Sequence, residues 1–240
     1  MKNYYEEELT VLPSTCNCDA KMKLSGLLDI FMDAAMMHAE DVGVGISDFR
    51  PIGKFWVAVK TRIRFNRPVN MAEKVTVKTW PEKPGKIACV RYYDMRKNDE
   101  ILAAGKTDWV IIDTETKRIQ RTEGIYPPDL VFSEECADDA PFRRLKDDCA
   151  DEFFGKYTVR SVDIDYGNHM NNVAYVRAIE GLFSTNEWRD REYCGIEIQY
   201  KSSCYEKDEI SFYKKETPEG TVIKAENNGE CVMTAVLYAN

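Results

Sequence analysis

Residues 61–77 read TRIRFNRPVNMAEKVTV, and residues 196–212 read IEIQYKSSCYEKDEISF. At a constant offset Ile63 meets Ile198, Phe65 meets Tyr200 and Val75 meets Ile210. In the first stretch Lys60, Arg62 and Arg64 alternate with Val59, Thr61, Ile63 and Phe65. That period of two is the mark of a strand with one charged and one apolar face. Working outward, strands are expected at 55–66, 73–80, 86–96 and 101–113, with turns at Pro81, Pro84-Gly85 and Asn98-Asp99. Before them, Leu24, Leu27, Leu28, Phe31, Ala35 and Val42 fall at helical spacing, so residues 24–42 are expected to form a helix. Ile30, Met32, Met36 and Met37 widen its apolar stripe, so the helix should be largely buried.

The second half repeats this order. A strand near 156–163 precedes a helix over about 171–184, and strands follow at 194–200, 208–215, 220–227 and 230–238. One helix followed by a meander of antiparallel strands, twice, predicts an α+β fold made by duplication. A helix that is apolar on most sides suits a sheet wrapped around it. The expected division is an N-terminal domain over 1–132, a polar linker over 133–152 (SEECADDAPFRRLKDDCADE) and a C-terminal domain over 153–240.

Composition narrows the function. The formal charge of −8 disfavours non-specific binding to nucleic acid or an anionic membrane. No run of eighteen apolar residues exists, so no membrane-spanning helix is expected. The start, MKNYYEEELTVL, is too acidic and polar for a signal or transit peptide and reads as that of a cytoplasmic protein. The eight cysteines are dispersed and only two histidines are present, which argues for free thiols and against a zinc site. No cofactor is expected.

The densest polar stretch is VDIDYGNHMNNVAYV, residues 162–176, which sets Asp163, Asp165, Asn168, His169, Asn171 and Asn172 just ahead of a helix. Asn171 or Asn172 suits the helix cap. A histidine four residues after an aspartate, at a strand–helix corner, can move a proton under that carboxylate's control. The helix start offers unpaired N–H groups where a carbonyl oxygen would gain negative charge. His38, on the first helix beside Met37 and Ala39, has no such company and reads as a core or pocket-lining residue.

The pattern D-x-D-x-x-x-H-M-N-N-V-x-Y resembles the active-site motif of the acyl-acyl carrier protein (acyl-ACP) thioesterases, double-hotdog enzymes of plant plastids and many bacteria. FWVAVKTRIRFNRPVNMAEKVTVKTW at 55–80, TDWVIIDTETKRIQR at 107–121 and IQYKSSC at 198–204 extend the likeness over nearly the whole chain. The resemblance implies a tandem hotdog, each unit a central helix wrapped by a curved antiparallel sheet. It implies hydrolysis of fatty-acyl thioesters carried by ACP, with an acyl pocket in the N-terminal unit for which Met32 and Met36 are candidate walls. It places the family's aspartate on Asp165 and its histidine on His169. The family's asparagine falls on Gly167, leaving Asn168 to do the polar work, and its glutamate falls on Ser203, while its cysteine is kept as Cys204.

Two mechanisms follow. Either Asp165 attacks the thioester or activates water, with His169 and Asn168 orienting and stabilising charge, or Cys204 attacks with His169 as its base. Asn172 is a further candidate substrate contact. Acyl carrier protein is strongly acidic, so docking needs a local basic patch, and Arg62 and Arg64 on the charged strand face are candidates. Hydrolysis of coenzyme A thioesters and non-catalytic acyl binding remain alternatives on the same fold. Dehydration is disfavoured because no H-F-P sequence occurs. A homodimer is compatible with this reading and not required by it.

Overall fold

The computed structural model describes residues 2–239. The chain divides into two compact units between Ala140 and Pro141. The first contains β1 (Tyr5–Thr10), α1 (Leu24–Asp41), the short α2 (Ile46–Phe49), β2 (Lys54–Phe65), β3 (Lys74–Pro81), β4 (Cys89–Lys97) and β5 (Glu100–Asp113). Its strands are antiparallel neighbours in the order β1-β3-β4-β5-β2. The second contains β6 (Glu152–Thr158), α3 (Asn172–Leu182), α4 (Thr185–Arg191), β7 (Tyr193–Tyr200), β8 (Glu209–Thr217), β9 (Gly220–Asn227) and β10 (Glu230–Ala239). Its order is β6-β8-β9-β10-β7, which is the first unit's order repeated.

The alternation in β2 does what its period predicts. Thr61, Ile63 and Phe65 are buried, and Ile63 faces Gly105 of β5 in register. In α1 the buried side is Leu24, Leu27, Leu28, Phe31, Ala34, Ala35 and His38, with Phe31 stacked on Tyr93 of β4 at 5.0 Å between centroids. The expectation of a largely buried helix holds for one side only. Met36 and Met37 are exposed and Met32 is half-buried, because the sheet covers one side of α1 and these methionines point off that side.

Two further expectations shift. The strand placed near 156–163 runs over Glu152–Thr158, because Ser161–Asp163 turn into a 3-10 turn held by the Asp163 carboxylate. β6 therefore starts inside the expected linker. The rest of that polar stretch has no regular structure, yet it is pinned to each unit. Trp80 Nε1 donates to the Glu135 carbonyl at 2.8 Å, Lys78 pairs with Glu135 at 2.7 Å, and Arg62 grips Asp138 with two nitrogens. Beyond Pro141, the Arg143 N–H donates to buried Glu197, and Lys201 pairs with Asp147.

The repetition extends to a loop that the sequence does not show as repeated. In the second unit the Val159 N–H donates to the Asp208 carbonyl and the Lys207 N–H to the Val159 carbonyl, each at 2.9 Å. Ser161–Asp163 form the 3-10 turn, Ile164 bridges Met170, and the Met170 N–H donates to the Cys204 carbonyl at 2.7 Å. The first unit makes the same contacts with other residues. Val11 bonds Glu73 and Ala72, Pro13–Thr15 form the 3-10 turn, Cys16 bridges Met22, and the Met22 N–H donates to the Val69 carbonyl at 2.8 Å. Even the left-handed residues correspond, Ala20 (φ 56°) with Asn168 (φ 60°) and Ala72 (φ 67°) with Lys207 (φ 76°). Together with the shared strand order, this makes the fold a double hotdog.

Candidate active site

The loop from Asp163 to Asn171 is built from backbone contacts first. The Asp165 N–H donates to the His169 carbonyl at 3.1 Å, and the Asn168 N–H returns to the Asp165 carbonyl at 3.0 Å. The Asp165 side chain closes a small turn of its own, its Oδ1 accepting the Gly167 N–H at 2.7 Å. The Asn171 N–H donates to the Asp163 carbonyl at 2.8 Å, and its side chain caps α3 by accepting the Val173 N–H at 2.7 Å. Buried Asp163 has a supporting role. It accepts the Tyr157 hydroxyl and the Arg160 N–H, each at 2.8 Å. Of the two candidate caps, Asn171 fills the role, while Asn172 is the first helical residue and its carbonyl accepts the Tyr200 hydroxyl at 3.1 Å.

This frame brings Asp165 and His169 together. His169 Nδ1 lies 3.8 Å from Asp165 Oδ1 and 3.4 Å from the Met170 carbonyl, which turns that ring nitrogen toward the carboxylate. Their side chains are 20% and 16% exposed, so both are shielded yet open to a substrate. The distance is an ion-pair separation rather than a short hydrogen bond, a looseness common in catalytic pairs before substrate binds. The pair stands at the positive end of α3, where a developing oxyanion would find favourable potential. Asn168 is exposed and holds the left-handed corner of the loop. The backbone N–H of Gly167 holds the Asp165 carboxylate in place.

Cys204 sits differently. Its carbonyl supports the loop through Met170, but its side chain is fully buried with the thiol against the Tyr175 hydroxyl of α3. Burial pushes the thiol pKa up, against the partial relief of Tyr175's hydrogen bond. That setting opposes thiolate formation, the reverse of what a nucleophilic cysteine needs. Ser203 beside it is exposed and outside any strand.

Of the remaining candidates, Arg64 is exposed while Arg62 is largely buried in its bidentate pair with Asp138 and also donates to the Ala140 carbonyl. The expectation of Arg62 as an open docking charge is corrected, since the acidic segment that follows β5 already occupies it. His38 is buried, with Nδ1 3.0 Å from Arg91 Nη1 and Nε2 3.3 Å from the Lys2 carbonyl. Burial, then the Arg91 charge, lowers its pKa to about 4, so it is neutral at physiological pH and remote in sequence and role from the Asp165 loop. All eight cysteines are free, and among the described residues no group of histidine, cysteine, aspartate and glutamate could hold a metal. No helix of the described chain is long and apolar enough to cross a membrane.

Tyr157 and Tyr175 are not singled out by the sequence, because the fold alone brings them to their partners Asp163 and Cys204.

Two hotdog units in tandem, one of them with an aspartate–histidine pair at the start of its helix, define the class: a double-hotdog protein of the thioesterase type. Residues 2–126 match the family model of the acyl-ACP thioesterase N-terminal domain, and residues 146–236 match that of the acyl-ACP thioesterase C-terminal domain. The chain belongs to the acyl-ACP thioesterase family. It is 22% identical to an acyl-[acyl-carrier-protein] hydrolase of Cuphea viscosissima over 83% of this chain and 52% of that protein. It is also 22% identical to an oleoyl-acyl carrier protein thioesterase of Arabidopsis thaliana over 92% of this chain and 65% of the relative. The chain thus spans roughly half to two thirds of the length of these curated relatives. Among solved structures, an acyl-ACP thioesterase from Bacteroides thetaiotaomicron superposes with a TM-score of 0.86 at 21% identity, covering 99% of this chain and 98% of that one. The 12:0-ACP thioesterase from Umbellularia californica gives 0.84 at 19% identity, covering 100% and 98%.

Proposed function

We propose that this chain hydrolyses fatty-acyl thioesters of acyl carrier protein to free fatty acid and holo-carrier, with Asp165 and His169 as its catalytic residues. The observation that carries this reading is the Asp165–His169 pair at 3.8 Å, held by a loop whose counterpart in the first unit has Asn17 and Lys21 instead. The loop's geometry does not call for an aspartate and a histidine there, so their presence answers to chemistry.

In the mechanism we favour, the Asp165 carboxylate takes a proton from a water molecule, whose oxygen adds to the thioester carbonyl. The carbonyl oxygen becomes an oxyanion beside the N-terminus of α3 and the imidazole of His169. The tetrahedral adduct then collapses, the C–S bond breaks, and the departing sulfur takes a proton from His169, whose Nδ1 recovers one from the protonated Asp165 carboxyl 3.8 Å away, restoring both groups. Direct attack by Asp165 would instead give a mixed anhydride, which water then cleaves. Cys204 is a supporting residue in either case. Met32 and Asn172 remain candidate contacts for the substrate, and exposed Met36 would have to serve at an open edge rather than a buried wall. The free cysteines favour a reducing compartment, consistent with the cytoplasm.

The test is thiol release by the purified protein from panels of acyl-ACP and acyl-coenzyme A. Release from acyl-ACP that vanishes in His169→Ala supports the reading. A preference for acyl-coenzyme A would move the substrate to the small carrier, and no release from either panel would overturn the activity.

A further inference from the structure

Residues 159–170 and 204–208 form one surface around the Asp165 loop. The backbone stitches them together twice, at Val159 with Lys207 and Asp208, and at Met170 with Cys204. Three large apolar side chains stand out from this surface: Val162 at 82% exposure, Tyr166 at 60% and Tyr205 at 57%. Single exposed apolar residues are ordinary, but three on one short surface beside a candidate active site mark a contact face. Two cations flank them. Arg160 and Lys207 are both exposed and neither makes an ion pair with a described residue. A third cation, Arg177 on α3, stands with Arg160 near Tyr157 and offsets the rise that burial and Asp163 impose on that hydroxyl. Glu206 is the exposed acidic residue among them.

The first unit is an internal control. Its copy of the same two segments has Leu12 where the second has Arg160, and Ala72 where the second has Lys207. Ser14, Cys18 and Asn70 stand where Val162, Tyr166 and Tyr205 do. The loop forms equally well without these cations and without these apolar side chains, so folding does not demand them. In a chain of net charge −8, the exposed charged side chains of these two segments are two cations, Arg160 and Lys207, against one anion, Glu206.

We infer that this face, centred on Arg160, Lys207, Val162 and Tyr205, is where an acidic carrier protein docks to deliver its thioester. The inference rests on the proposed hydrolysis, and it replaces Arg62 as the anchor of recognition. The cations steer the acidic partner, and the apolar side chains give the contact its dry centre.

The experiment measures KM and kcat for the acyl-ACP that the wild type hydrolyses best and for the N-acetylcysteamine thioester of the same acid. The variants are Arg160→Glu with Lys207→Glu, Val162→Ser with Tyr205→Ser, and Lys215→Glu as a remote exposed control on β8. The charge reversal should raise KM for acyl-ACP about tenfold or more and abolish its salt dependence. It should change the small thioester by less than about twofold and leave the unfolding temperature unaltered, while the control changes neither substrate. The apolar double variant should also raise KM for acyl-ACP alone. An unchanged KM for acyl-ACP overturns the docking face while leaving the activity standing. Equal loss on both substrates overturns it too, since the face would then belong to the chemistry. A wild-type dimer that the apolar variant splits, with carrier kinetics intact, assigns the face to a second copy instead. Should the wild type hydrolyse neither substrate, fluorescence anisotropy of labelled acyl-ACP decides the docking alone. Binding lost on charge reversal upholds the face, and binding that is absent or unaffected overturns it.

Discussion

Asn17 occupies in the first unit the backbone position that Asp165 occupies in the second. The Asn17 N–H donates to the Lys21 carbonyl at 2.8 Å as the Asp165 N–H does to that of His169 at 3.1 Å. Asn17 Oδ1 accepts the Asp19 N–H at 2.9 Å as Asp165 Oδ1 accepts that of Gly167 at 2.7 Å. One loop is thus used twice, and only one copy carries a carboxylate and an imidazole. Either side chain at the first position can close the turn, so the turn alone explains neither Asp165 nor the histidine that follows it.

A pair of substitutions separates turn from chemistry. Asn17→Ala removes the acceptor for two exposed N–H groups, those of Asp19 and Lys21, and should lower stability by roughly 0.5–1.5 kcal/mol with turnover unchanged. Asp165→Asn keeps the acceptor and should leave stability nearly unchanged while turnover falls by about a hundredfold or more. Urea unfolding and thioester hydrolysis measured on both proteins check this. Turnover retained in Asp165→Asn would remove the carboxylate from the mechanism.

His169→Ala should reduce kcat by about a hundredfold or more, with KM for a small thioester changed much less, because the imidazole acts on charge that develops after binding. A rise in KM with kcat preserved would recast His169 as a binding residue.

Cys204→Ala should keep most of its turnover. It leaves the Tyr175 hydroxyl without its sulfur partner in a buried site, so unfolding should occur roughly 1–3 kcal/mol earlier. Cys204→Ser, which restores an acceptor, should recover part of that stability. Loss of turnover with stability intact would identify Cys204 as the nucleophile after all.

Arg62→Glu should destabilise the first unit by roughly 3–5 kcal/mol, since it leaves Asp138 facing a like charge in a largely buried setting. Arg64→Glu, on an exposed position of the same strand, should cost under about 0.5 kcal/mol. Equal effects of the two changes in denaturant titration would mean that the Arg62–Asp138 tie is not formed in solution.

His38 gives the first unit a pH dependence of defined sign. Its pKa is lowered in the folded state to about 4 from an ordinary 6.5, so folding excludes its proton. Stability from this residue is complete above about pH 6.5, is lost as pH falls from there to about 4, and changes no further below that. The full loss is about 3 kcal/mol. The difference in unfolding free energy between wild type and His38→Gln, followed from pH 7 to pH 4, should track this window. A difference independent of pH would mean that His38 is not buried neutral.

The sequence by itself determined the duplicated helix-and-meander plan and pointed to Asp165 and His169, which the fold sets 3.8 Å apart. Its apolar alternation fixes which face of β2 is buried, since a slip of one residue would turn Thr61, Ile63 and Phe65 to solvent. Asp165 and His169 were legible because they are four residues apart on one loop. The tertiary structure decided what depends on distant partners. VLPSTCNCDAKMKL and VRSVDIDYGNHMNN share little beyond a valine and a methionine, yet they form the same loop, because backbone hydrogen bonds such as Met22 to Val69 and Met170 to Cys204 build it. Arg62 reads as one more charge on an exposed face until Asp138, far along the chain, folds over it. Cys204 reads as a candidate nucleophile until burial raises the free energy of its thiolate, a rise that the Tyr175 hydrogen bond relieves only in part. Side-chain period is a local property and survives in a single sequence. Burial, pairing and exposure are set by which remote segment lands on a residue, and only the folded chain makes that choice.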